Sequence, residues 1–256
     1  QAGLPNSERI SRIIVHPQNS NVVYVAALGH LWGPNTERGL FQTTDGGKTW
    51  NKILYVDDNT GCASVCLHPN NPNVMYAGMW DFRRQPFTFR SGGKGSGLYQ
   101  SVDGGKTWKK LQGNGLPQTE MGRISVAVSP VAPYAAYALI ESEKTGLYRS
   151  LDEGKTWELM NTSTAVNERP FYFSNITPDT QEPDKVYKPG FILQVSNDGG
   201  RTFSGTAVEG GNYHVDLHAF WVSPTNNRFM YLGTDGGVYV SNDKGNTWLF
   251  LQNLPV

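Results

Sequence analysis

Cysteine is nearly missing from this chain: two occur in 256 residues, Cys62 and Cys66. Both are read on one strand. Four residues of strand hold their Cα atoms roughly 13 Å apart, beyond the ~7 Å reach of a disulfide. They are therefore not expected to pair with each other, and cysteine usage fixes no compartment. Net charge is also lacking, with 22 basic residues against 22 acidic ones. A balanced chain offers no electrostatic footprint for nucleic acid or an anionic membrane surface. No apolar run reaches the roughly 18–20 residues that cross a bilayer as a helix. The opening Gln1-Ala2-Gly3-Leu4-Pro5 has neither the basic start nor the apolar stretch of a signal peptide. No segment sustains a 3.6-residue apolar period, so almost no helix is expected. Neither a glycine-rich phosphate loop opening a helix nor a Gly-x-Ser-x-Gly elbow is present.

One string is present five times. Thr43-Thr44-Asp45-Gly46-Gly47-Lys48-Thr49-Trp50 returns with Asp103, Asp152, Asp198 and Asp243 in the third position, at spacings of 58, 49, 46 and 45 residues. The consensus is Ser/Thr-x-Asp-x-Gly-x-Thr-Trp/Phe. Its chemistry is that of a hairpin turn. The aspartate accepts backbone N–H groups two or three residues on. Glycine takes the positive φ that other residues resist. The aromatic anchors the turn by burying on the order of 150–250 Å². The five aspartates are thus read as structural, not catalytic.

A short apolar strand precedes each box, as in Gly39-Leu40-Phe41-Gln42. Earlier in each repeat two strands flank a turn with proline, at Pro17, Pro69, Pro130, Pro178 and Pro224. Matching tyrosines follow at Tyr24, Tyr76, Tyr137, Tyr187 and Tyr231. Each repeat therefore reads as four antiparallel strands, A to D, the content of one β-propeller blade. The expected architecture is all-β: five four-stranded blades in one propeller segment, 1–256, with blades at roughly 8–55, 56–113, 114–161, 162–207 and 208–256. Five blades with no strand exchanged between the ends lack a clasp. An unclosed array would leave an apolar blade face bare at each end.

The boxes resemble those of the BNR/Asp-box superfamily, which includes sialidases, two-propeller xyloglucan hydrolases and the ten-bladed luminal domain of sortilin receptors. The stretches from Tyr24 to Asn35, Ala77 to Arg84 and Gly122 to Pro130 are similar to large bacterial secreted proteins described as sortilin-like or glycosyl-hydrolase-like. The resemblance covers nearly the whole chain. It implies a location that is secreted, periplasmic or at the cell surface. It also implies further blades on either side, so that this chain is part of a larger propeller.

Function is expected where loops are long on a rigid frame. The B-to-C loops at 28–38 and 79–96 are long; those of the last two repeats are short. They carry Trp32, Trp80, Arg83 and Arg84, residue types suited to a glycan, peptide or protein ligand. The alternative for Trp80 is a plug in the loop's own small core. In the fifth repeat His214, Asp216 and His218 alternate, so on a strand they point the same way. They are read as a polar ligand site, and no metal or other cofactor is assigned. A divalent ion there would need a bend in the strand and one more ligand. Strand parity places this trio on the rim of the long loops, opposite the boxes. For a glycoside hydrolase, two carboxylates about 5–10 Å apart are needed. Asp81, Glu120 and Asp216 are the candidates, and the sequence pairs no two of them. The reading is a binding or scaffold propeller, with a glycoside hydrolase as the alternative.

Overall fold

The computed structural model describes residues 3–205 and 213–254, so the boundary expected at 207/208 lies outside the described residues. The fold is all-β, of the β-propeller class, with five antiparallel sheets that each follow chain order. The first sheet comprises β1 (Ile10–His16), β2 (Asn19–Ala27), β3 (Gly39–Thr43) and β4 (Asn51–Leu54). The second has β5 (Thr60–His68), β6 (Asn71–Gln85), β7 (Thr88–Ser91), β8 (Gly97–Ser101) and β9 (Lys109–Lys110), with β7 paired only to β6. The third runs β10 (Met121–Val128), β11 (Ala136–Ser142), β12 (Gly146–Ser150) and β13 (Glu158–Asn161). One short helix, α1 (Thr164–Asn167), precedes the fourth sheet of β14 (Thr177–Pro178), β15 (Val186–Pro189), β16 (Leu193–Ser196) and β17 (Ser204–Gly205). The fifth has β18 (Leu217–Val222), β19 (Met230–Thr234), β20 (Gly237–Ser241) and β21 (Leu249–Phe250). Among the described residues no helix is long and apolar enough to cross a membrane.

The chain divides into two compact units, 1–126 with 140–144, and 127–139 with 145–256. In the first, Tyr24, Ala26 and Leu40 of the first sheet bury against Cys62, Val65, Met75 and Ala77 of the second. Both cysteines lie on β5 and are unbridged. In the second unit, Tyr187 and Leu193 of the fourth sheet share a core with Leu217, Met230 and Leu232 of the fifth and with Trp248 just before β21. Strand alternation makes this possible, since every second residue faces the neighbouring sheet.

The box turns repeat atom for atom. Asp103 Oδ1 accepts from the Thr107 N–H at 2.9 Å and its Oδ2 from the Thr107 hydroxyl at 2.6 Å. The same pair of bonds recurs at Asp45, Asp152, Asp198 and Asp243. The main backbone donor thus sits four residues on, further than the two or three expected from ordinary Asx turns. The leading Ser/Thr is part of the device. Ser101 Oγ donates to Asp103 Oδ1 at 2.8 Å and accepts the Gly105 N–H at 2.9 Å. The left-handed residue after the aspartate is glycine in three boxes but Glu153 (φ 60°) and Lys244 (φ 65°) in the others.

These bonds favour the charged carboxylate. The Thr107 hydroxyl and N–H, with Ser101, bring Asp103 down to about 2. At Asp152 and Asp198 burial acts upward, yet the bonds from Thr156 and Thr202 still bring them to about 2. A carboxylate depressed in the fold stabilises it above the unfolded aspartate range and loses that stabilisation as pH falls through its folded value. The melting temperature is therefore expected to be flat down to about pH 4 and to drop steeply towards about pH 2. A pH series of thermal melts checks this.

Candidate functional site

The hairpin of the second sheet is the largest departure from a plain blade. Where a long loop at 79–96 was expected, β6 runs on to Gln85 and turns back as β7, with Phe82 opposite Ser91 and Arg83 opposite Arg90. Alternation puts Trp80 and Phe82 on one face and Asp81 and Arg83 on the other. Trp80 stacks on Phe82 at 4.5 Å and meets the edge of Phe89 at 6.0 Å. The Arg123 guanidinium lies 5.3 Å from its ring centroid. The indole N–H donates to Ser91 Oγ at 3.0 Å, and Ser91 donates to Glu141 Oε2 at 2.5 Å. Glu141 also accepts the Arg123 N–H at 2.8 Å. Trp80 is only 4% exposed, so it does not offer the open stacking face expected of a ligand platform. It plugs the base of the hairpin, because β6 continues as strand and turns the ring inward.

The loop at 28–38 is folded around Arg38, a residue that the sequence did not single out. Arg38 is fully buried and donates to the carbonyls of His30 (2.7 Å), Gly33 (2.9 Å) and Asn59 (3.2 Å). Gly29, at φ 75°, makes room for it: a Cβ there would come within 2.5 Å of Arg38 Cγ. Arg9 and Arg38 both lie over the Phe82 ring, at 4.9 and 4.6 Å. Burial, then the nearby Arg83 and Arg9, bring the Arg38 guanidinium down to about 10. Arg83 ties hairpin to loop through the Trp32 carbonyl and Asn59 Oδ1. Trp32 (59%) and Phe87 at the hairpin tip (86%) are exposed, and Arg84 is exposed with its guanidinium 5.7 Å from the Phe89 ring centre. The result is a stiff aromatic–arginine base that presents Trp32, Arg84 and Phe87 outward.

A cleft of about 360 Å³ is lined by Gly93 and Ser96, which follow the hairpin in sequence, and its polar lining includes Lys94, Lys110, Gln112, Gln118, Thr119 and Glu120. Asp81 abuts its wall. A Cβ on Gly93, which lines the cleft, would fall 2.1 Å from Asp81 Oδ2. Burial pushes the Asp81 carboxyl up; its 2.7 Å ion pair with Arg90 opposes this, and the charges of Asp57 and Glu120 add to it. Asp81 is buried and Glu120 exposed, two carboxyl groups in unlike environments near one cleft.

In the second unit the His214–Asp216–His218 alternation does not hold. β18 starts only at Leu217, and Asp216 has a left-handed φ of 61°, which breaks the parity that would aim three side chains together. His214 turns its Nδ1 to the Val215 carbonyl at 2.8 Å. His218 pairs with Asp235 at 2.9 Å and packs near Phe173 and Tyr172. Among the described residues no group of three or more His, Cys, Asp or Glu side chains is placed to hold a metal ion. A different group lies nearby. Lys188 is fully buried, its amine has no hydrogen-bond partner among the described residues, and burial brings it down to about 8 although Glu168 opposes this.

No family model and no curated protein matches the sequence. Solved structures do match in fold. A GH74 enzyme from Niastella koreensis is similar with a TM-score of 0.65 at 17% identity, over 96% of this chain and 38% of that one. The GH74 xyloglucanase of Xanthomonas campestris gives 0.52 at 14% identity, over 96% and 47%. YCF48 bound to D1 peptide gives 0.53 at 14% identity, over 97% and 83%. This chain spans less than half the length of those two GH74 structures. At such identities the likeness is one of fold.

Proposed function

We propose that this chain is a ligand-binding propeller of the Asp-box, sortilin-like kind, working outside the cytoplasm and taking a peptide, protein or glycan. The ligand lies on the surface made by the 28–38 loop and the β6–β7 hairpin. The observation that carries this reading is the contrast between a buried, cross-braced base and an exposed crown. Arg9, Arg38, Trp80, Phe82 and Arg123 hold the base. Trp32, Arg84 and Phe87 are left bare on top, with Arg83 half-exposed between them. Rigid aromatic anchors beside guanidinium groups bind at low entropic cost. His214, Asp216 and His218 remain part of the proposed polar surface of the last blade, without metal. Further blades of the same repeat complete the proposed assembly, with blade limits as read from the repeats.

Solved proteins of this fold include one described with a bound peptide and others described as GH74 enzymes, and both ligand classes suit the crown. The test is a glycan and peptide array with Trp32→Ala and Arg84→Ala beside the parent chain. Each substitution is expected to weaken binding about tenfold or more, a loss of ~1.4 kcal/mol or greater. Melting temperature is expected to stay unchanged, since both side chains are exposed. Unchanged binding in both variants would refute the site.

A glycoside hydrolase is the second reading. Its support is the unlike pair at the cleft: a buried Asp81 whose carboxyl is raised, and an exposed Glu120. General acid and base roles are divided by such environments. Against it, Arg90 already holds Asp81 in an ion pair.

A further inference from the structure

The second sheet leaves two lysines without a counter-ion. Lys94 lies between β7 and β8, and Lys110 ends β9. Lys110 is half-buried. Its stem crosses Gly97, where a Cβ would fall 2.4 Å from Lys110 Cε, and its Nζ stands 6.0 Å from the Tyr99 ring centre. The ammonium donates to the Lys94 carbonyl at 3.1 Å. Neither lysine joins an ion pair among the described residues. Burial alone draws Lys110 below the usual lysine range. A partly desolvated ammonium with protons to spare and no carboxylate beside it favours an incoming anion.

Both lysines line the cleft of about 360 Å³, and its charges do not balance. Against two ammoniums it sets one carboxylate, Glu120, while Asp81 behind Gly93 is already paired with Arg90. Much of the remaining wall is the loop between β9 and β10. Gly113, Asn114 and Gly115 take φ of 68°, 52° and 94° in succession, and Leu116 anchors the turn by burial. Gln118 Nε2 donates to the Leu116 carbonyl at 3.1 Å, which leaves the amide oxygen to accept from a ligand. Apolar side chains are few, Pro117 and Met121. An aliphatic or aromatic acid would leave the amides of Gln112 and Gln118 and the Thr119 hydroxyl unpaired. A sugar acid suits all of them: carboxylate to the lysines, ring hydroxyls to the amides, Thr119 and Glu120. The volume lies at the small end of the ~300–1,000 Å³ range of small-molecule sites, room for a sugar residue and not for a folded partner.

We propose that this cleft is a binding site for a uronic acid residue, its carboxylate held by Lys94 and Lys110 and its hydroxyls by Gln112, Gln118, Thr119 and Glu120. The site is distinct from the crown, since Trp32, Arg84 and Phe87 line no part of it. It stands whether or not the crown binds, and it requires no catalysis.

Isothermal titration with digalacturonate tests it, with neutral galactobiose and acetate as controls. The parent chain is expected to bind digalacturonate with a Kd of about millimolar or tighter, and about tenfold or more tighter than either control. Lys110→Met is expected to weaken digalacturonate binding about tenfold or more, and Lys94→Met about threefold. Thermal melts check that each variant is folded. Lys94 is exposed, so its variant keeps the test decisive if Lys110→Met unfolds. A parent chain that does not bind digalacturonate overturns the proposal. So does galactobiose binding as tightly, which would remove the carboxylate from recognition, or acetate binding as tightly, which would remove the sugar. Folded lysine variants that bind as the parent does overturn it too, since the uronate would then sit elsewhere.

Discussion

Replacing Trp157 with alanine is expected to lower the unfolding free energy by about 3–5 kcal/mol, the range for emptying a large aromatic site. Trp157 is buried, and its indole N–H donates to the Gly154 carbonyl at 3.1 Å across its own box turn. The change therefore removes apolar burial and leaves that carbonyl without its donor. Trp248 makes the same bond to Gly245 and is expected to behave alike. Trp157→Phe would keep most of the burial and lose the bond, with a loss of about 1–2 kcal/mol. Chemical denaturation measures both. Equal losses for Phe and Ala would mean that the bond, and not burial, dominates.

Arg38→Ala is the largest effect expected at the site. Two terms oppose each other. The charge is costly where it stands, since Arg83 and Arg9 crowd it and burial lowers its basicity. Against this, three carbonyls at His30, Gly33 and Asn59 depend on one guanidinium. Hydrogen bonds to a charged donor are worth about 1.5–3 kcal/mol each, so the second term wins and the net loss is expected at about 2–4 kcal/mol. Arg38→Lys is expected to rescue little, because one ammonium cannot reproduce a planar fork that spans three acceptors. The loop that presents Trp32 would lose its shape, so crown binding should fall with either variant. Denaturation and array binding on the same preparations separate the two effects.

The sheets were legible because the box is written five times in nearly identical letters and each copy makes the same local bonds. Its leading Ser/Thr was visible as a pattern, though its double role as donor and acceptor emerged only from geometry. The site was less legible because its partners are distant in sequence. Ser91 reaches Glu141 fifty residues on, and Arg38 reaches Asn59 twenty-one residues on. Trp80 was expected in a loop, yet β-ladder pairing carries β6 five residues past it and turns the ring inward. The His214–Asp216–His218 alternation assumed a strand, and a single left-handed residue at Asp216 undoes it.

The central claim is that the crown binds without chemistry. It is tested most directly by following product formation on whichever glycan or peptide the array identifies, with the parent chain, Glu120→Gln and Asp81→Asn side by side. The account predicts binding with no product in any of the three. Product formed by the parent chain and lost in Glu120→Gln or Asp81→Asn, with binding retained, would contradict it and establish the cleft as an active site.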